Sequence, residues 1–130
     1  MPKYSTISIC MELLQTIFEG AKHLYPRETI LVLRGKKEKD VITVTDLLVP
    51  PLARYGRGFA NLPLSMLPMD FSIVGTAHSH PSGNINPSST DLNHFYGPIL
   101  MIVGSPFADE RNVAAYNRNG EKLAVRVTAT

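Results

Sequence analysis

Three side chains in one short stretch, His78, His80 and Asp91, are of types that bind metal ions. His78 and His80 follow the apolar run Phe71-Ser72-Ile73-Val74-Gly75-Thr76-Ala77, which reads as a strand, and so fall at its C-terminal end. Side chains two apart on a strand share a face, so both imidazoles can approach one cation while Ser79 points to the opposite side. Asp91 lies beyond a loop rich in Pro, Gly, Asn and Ser and can supply a third donor. Two histidines and a carboxylate are the donor set of a catalytic rather than a structural zinc, because a fourth position is left for water. Water bound there has a pKa of roughly 7, which makes hydroxide available at neutral pH. Each piece also has a plain structural reading. An H-x-H can be two hydrogen-bonded or solvated histidines, and Ser88-x-x-Asp91 is by itself a capping box that opens a short helix.

The full spacing is more specific. His78-Ser79-His80, seven residues, Ser88, two residues and Asp91 resembles the signature of the JAMM (MPN+) metalloproteases, a family that includes isopeptidases acting on ubiquitin and ubiquitin-like proteins. The segment Pro26-Arg27-Glu28-Thr29-Ile30-Leu31-Val32-Leu33-Arg34-Gly35 resembles the family's upstream strand, with Glu28 at the place of its glutamate. The resemblance implies a cytidine-deaminase-like α/β domain and a zinc held by His78, His80 and Asp91. Glu28 would be general base and then acid, and Ser88 would stabilise the oxyanion. Without the resemblance, Glu28 reads as a surface partner of Arg27, Arg34 or Lys22. His80-Pro81-Ser82-Gly83 also matches the DNA-repair-associated RadC type, which usually carries an N-terminal helical extension. A third class, non-catalytic MPN scaffolds, has lost the zinc ligands that this chain retains.

The resemblance further implies a substrate with an extended C-terminal Gly-Gly tail, as in a ubiquitin-like small modifier or sulfur-carrier protein. The chain resembles the minimal, stand-alone, prokaryotic-type members rather than those with large insertions. Pro50-Pro51-Leu52-Ala53-Arg54-Tyr55-Gly56-Arg57-Gly58 breaks both regular periods and reads as a connector or as a substrate-facing flap. Arg54, Tyr55 and Arg57 are the candidate substrate contacts, since arginine and aromatic residues are enriched at interfaces.

The elements that must position these groups follow from pattern. Tyr4 to Ile7 predicts a strand, and Ser8 caps a helix to about Leu24, with Ile9, Leu13, Ile17, Ala21 and Leu24 on the buried stripe, widened by Met11, Leu14 and Phe18. Pro26 stops it. Glu28 to Arg34 predicts a buried strand, Gly35 to Lys39 a charged turn, and Val41 to Thr45 a second strand. Phe59 to Leu62 predicts a brief strand and Pro63 to Leu67 a helical turn. Leu92 to Phe95 finishes a short helix after Asp91, closed by Gly97 and Pro98. Ile99 to Val103, Val113 to Asn117 and Leu123 to Thr128 predict strands, the last two joined at Asn119-Gly120. This order predicts one α/β domain over residues 1–130, a mixed sheet with helices packed against it.

Composition narrows the setting. With 130 residues, 44% of them hydrophobic, the chain can bury one core. A formal charge of +2 is too mild to argue for nucleic acid or a membrane surface as partner. Cys10 is the only cysteine, which excludes an intrachain disulfide and a cysteine-based zinc site, and suits a reducing compartment. It reads as buried filler on the predicted helix. No leader-like or membrane-length apolar run appears, so the expectation is a cytoplasmic protein, with a homodimer left open. His23 reads as a helix-end residue, and His94, three beyond Asp91, as a weaker metal candidate.

Overall fold

The computed structural model describes residues 4–49, 54–56, 59–61, 72–93 and 96–130. Seven strands join in the order β1-β3-β2-β6-β7-β8-β9 and close on themselves through β1 and β9. They are β1 (Thr6–Cys10), β2 (Ile30–Glu38), β3 (Val41–Leu48), β6 (Ile73–His80), β7 (Ile99–Gly104), β8 (Val113–Tyr116) and β9 (Lys122–Thr128). Helix α1 spans Met11–Leu24, and α2 spans Ser89–Asn93. A separate antiparallel pair is formed by β4 (Arg54–Gly56) and β5 (Phe59–Asn61). The sheet is mixed: β1 runs parallel to β3 and β9, and β6 parallel to β7, while the other neighbours are antiparallel.

Helix α1 covers one side of this sheet. Leu14, Ile17, Phe18 and Ala21 are buried against Ile7, Ile9, Leu33, Ile42, Ile99, Met101 and Val103. Most of the expected stripe is therefore in place, but its N-terminal end is not. Ser8 and Ile9 belong to β1, and the helix starts at Met11, with Cys10 at the cap position and no side-chain cap bond. Thr6-Ile7-Ser8-Ile9, three of whose side chains are β-branched, pairs along its length with β9, and that ladder outweighs the local capping signal of a serine. Met11 is consequently exposed, and Cys10 ends a strand rather than sitting within the helix.

The hairpin of β2 and β3 also differs from expectation. Gly35, Lys36, Lys37 and Glu38 continue β2, and the reversal falls at Lys39 and Asp40, where Lys39 takes φ of 53°. Gly35 supports a register shift after Arg34, and a Cβ there would run into the Thr43 carbonyl oxygen. It marks a bulge rather than a turn. Arg54 to Gly56, expected to be irregular, pair instead with Phe59 to Asn61, while residues 50–53 and 57–58 of that stretch lie outside the described residues. The helical turn expected at Pro63 to Leu67 lies outside the described residues. The register of β8 with β9 leaves residues 117–121 as the connection, in which the Asn117 side chain accepts from the amides of Asn119 and Glu121. Gly120 takes φ of 78° there, as the Asn-Gly signal requires.

The far face of the sheet holds the chemistry. Register places Thr76, His78 and His80 of β6 beside Leu100, Ile102 and Gly104 of β7, with Ile30 and Val32 of β2 on their other flank. Leu100, Ile102, Ala114 and Tyr116 form a small second core there, covered by Ile85. Because β6 and β7 are parallel, residues 81–98 must cross over between them, and that crossover carries Ser88, Asp91 and α2.

Candidate metal centre

His78 and His80 occupy the last turn of the pleat in β6 and face the same side, as the spacing predicts. Ser79 faces the other way and is 1% exposed. Asp91 reaches them from the first turn of α2. Its Oδ2 lies 3.1 Å from His80 Nε2 and its Oδ1 3.5 Å from His78 Nδ1. The carboxylate is thus bracketed by both imidazoles in a site where all three side chains are little exposed.

The capping-box reading holds alongside this. The Asp91 amide donates to Ser88 Oγ at 3.0 Å, and the Ser88 amide donates to Asp91 Oδ2 at 2.8 Å. Ser88 Oγ accepts in this pair, so its own proton remains to be donated, and the residue is exposed. The same box fixes the Asp91 carboxylate between the histidines.

The crossover loop is pinned at several points. The His80 carbonyl accepts from the amides of Gly83 and Ser105, and the Tyr116 hydroxyl donates to the Ile85 carbonyl at 2.7 Å. Gly104 leaves room for it, since a Cβ there would meet Ile85 Cγ2 at 2.8 Å and the Gly83 carbonyl oxygen at 2.9 Å. So held, the loop presents the Asn84 carbonyl to His80 Nδ1 at 2.7 Å.

That contact decides the tautomer. A carbonyl can only accept, so Nδ1 carries the proton, and a neutral His80 turns the Nε2 lone pair toward the carboxylate of Asp91. Two lone pairs facing at 3.1 Å repel unless a proton or a cation stands between them. The electrostatics follow. Burial alone would lower the His80 pKa, but the bonds to Asp91 and to the Asn84 carbonyl raise it above its ordinary value. Burial alone would raise Asp91, but bonds from His80 and Ser88, with His78 nearby, lower it to about 2. Among the described residues no three His, Cys, Asp or Glu side chains already surround a common point as a finished cation cage. As they stand, the donors are held by bonds to one another. Their kinds nevertheless suit zinc. The two Asp91 contacts run to different carboxylate oxygens, so the three donors would have to draw together around a shared ion. The His80–Asn84 bond is the outer support that metal-binding histidines commonly have.

Glu28 sits two residues before β2 and is half-buried. Burial raises its pKa, His80 opposes that and Asp91 adds to it, which places the carboxylate within electrostatic reach of the cluster. Of the surface partners considered for Glu28, Arg34 lies 3.6 Å from Asp46 and Lys22 3.3 Å from Glu19. Of the remaining candidates, Arg54 and Tyr55 lie on β4, while Arg57 and His94 fall outside the described residues. His23 is exposed on the last turn of α1. Asn84 and Tyr116 were not singled out from sequence, because a backbone acceptor and a remote hydroxyl leave no spacing signal.

Fold and cluster together define a JAMM/MPN-type domain. The model of the prokaryotic homologs of the JAB domain matches residues 11–119, and the chain belongs to that family. A probable metalloprotease of Haloferax volcanii is 31% identical over 122 residues, covering 88% of this chain and 75% of that protein. A JAB1/MPN domain protein from Archaeoglobus fulgidus has a crystal structure 36% identical with a TM-score of 0.68, covering 95% of this chain and 98% of that one. A second structure, described as a JAMM metalloprotease-like zinc site in the proteasome and signalosome, is 36% identical with a TM-score of 0.65, covering 97% and 99%. A Desulfitobacterium hafniense protein at 16% identity shares the fold, with a TM-score of 0.62 over 95% of this chain and 94% of that one.

Proposed function

We propose that this chain is a zinc-dependent isopeptidase or peptidase that cleaves ubiquitin-like small modifier or sulfur-carrier proteins after a C-terminal Gly-Gly tail. The observation that carries it is the meeting of His80 Nε2 and Asp91 Oδ2 at 3.1 Å with His80 Nδ1 already committed to Asn84. That arrangement calls for a cation or a proton between them. The family relationship, and relatives described as a probable metalloprotease and as a metalloprotease-like zinc site, support zinc.

His78, His80 and Asp91 would hold the ion. When bound, zinc supplies a Lewis acid and a water that ionises near neutral pH. Glu28, its pKa raised by burial, is suited to take that water's proton and return it to the leaving amine. Ser88 keeps its hydroxyl proton for an oxyanion while its oxygen holds the Asp91 amide. The β4 and β5 pair, which among the described residues borders no other strand, is suited to receive an extended tail as an added strand, with Arg54, Tyr55 and Arg57 as proposed contacts.

The test is cleavage of a linear fusion behind a ubiquitin-like modifier, with zinc measured in the same preparation. Zinc-dependent cleavage is expected, lost on chelation. Glu28→Gln is expected to lower it by at least roughly 10²-fold with zinc retained. Full activity of Glu28→Gln would remove it as the base, and its loss of zinc would make it a ligand.

A further inference from the structure

We propose that Ser79, the residue between the two histidines, is a positioning residue that holds Glu28 opposite His80. The inference rests on the metallopeptidase reading above and deepens it. Ser79 cannot touch substrate: it faces the α1 side of the sheet together with Ala77, Met101 and Val103, and is 1% exposed.

Its hydroxyl points instead along the sheet. Ser79 Oγ accepts from the Thr29 amide at 2.7 Å, and the Ser79 amide donates to the Thr29 carbonyl at 3.1 Å. The regular ladder of β2 on β6 begins at Ile30, paired with His78. Continued past its end, that register sets Thr29 against Ser79, as their two bonds require, and carries Glu28 toward His80, whose charge acts on the Glu28 carboxylate. At Thr29 a side-chain hydroxyl therefore replaces the carbonyl that an antiparallel ladder would supply. Glu28 hangs between this clamp and the turn after α1, where the Arg27 amide donates to the Leu24 carbonyl. Of these two anchors, only the clamp reaches a strand, through Ser79 of β6.

Ser79→Ala removes the acceptor of a buried amide, and the Thr29 segment must shift to satisfy it. A misplacement of about 1 Å costs on the order of 10²-fold in a proton transfer that depends on geometry. Two measurements on the full chain test this. In the metal-free protein, exchange of the Thr29 amide should accelerate at least about tenfold in Ser79→Ala. In the zinc-loaded protein, kcat on the modifier fusion should fall about 10–100-fold with KM and zinc content unchanged. The fall should vanish when Ser79→Ala is made in the Glu28→Gln background, because there is no base left to misplace. Ser79→Thr, which restores a hydroxyl, should recover part of the loss. Should Ser79→Ala not fold, Ser79→Cys fills the same space with a poor acceptor and carries the comparison. An active wild type with unchanged kcat in Ser79→Ala, or an equal loss in both backgrounds, overturns the role of Ser79 alone. A wild type without zinc-dependent cleavage overturns the metallopeptidase reading, and this role falls with it.

Discussion

His80 is the residue on which the site turns, because both ring nitrogens are engaged and only one of its partners can share a proton. In the metal-free protein the raised pKa of His80 contributes stability fully present below its ordinary value near 6.5 and lost as pH rises through the folded value. The lowered pKa of Asp91 contributes stability present above 3.8 and lost as pH falls toward about 2. The metal-free melting temperature should therefore gain most from this pair between about pH 4 and 6.5. In Asp91→Asn that gain should flatten, which calorimetry across the window in the presence of a chelator would show. Equal pH profiles for the two proteins would mean that the pair does not couple to folding.

At the scale of elements, the crossover from β6 to β7 does the positioning, and the Tyr116 hydroxyl of β8 ties it at the Ile85 carbonyl while Ile85 packs on Ala114 and Tyr116. Tyr116→Phe removes the donor to the Ile85 carbonyl and little else, so it should cost about 1 kcal/mol in denaturant unfolding. It should also weaken zinc binding, since Asn84 adjoins the released carbonyl; unchanged zinc affinity would show that the loop holds its shape without the tether. The β4 and β5 hairpin is a separate device. Arg54→Glu with Arg57→Glu should raise KM for the modifier fusion and leave zinc in place. An unchanged KM would reduce the hairpin to a connector.

For the whole molecule, the expected ion would tie the end of β6 to the start of α2 in a geometry that only the folded chain holds, and so should stabilise the folded state. At a hundredfold excess over its Kd, a ligand of the folded form adds about 2.7 kcal/mol, which raises the melting temperature by several degrees. The rise should be reversed by chelation and absent in His80→Ala and Asp91→Ala. A shift that persists in both would place zinc elsewhere. No helix among the described residues is long and apolar enough to cross a membrane.

The sequence by itself determined the parts of this protein that depend on near neighbours. The apolar run before His78 makes a strand, period two sends both histidines one way and Ser79 the other, and Ser88-x-x-Asp91 opens a helix with its reciprocal bonds. The stripe from Leu14 to Ala21 likewise sufficed to bury one face of α1. What tertiary structure alone decided depends on partners far along the chain. Ser8 pairs with Arg126 rather than capping a helix, and Lys36 and Lys37 stay in a strand because β3 lies beside them. The closure of β1 onto β9 unites the two ends of the described chain, which no local pattern encodes. The same holds for the site. Spacing could nominate His80 and Asp91, but the proton on Nδ1 was settled by Asn84, a backbone carbonyl held in place by a tyrosine 31 residues on from Ile85. Carbonyl oxygens are common to every residue, so only their placement in space gives them meaning.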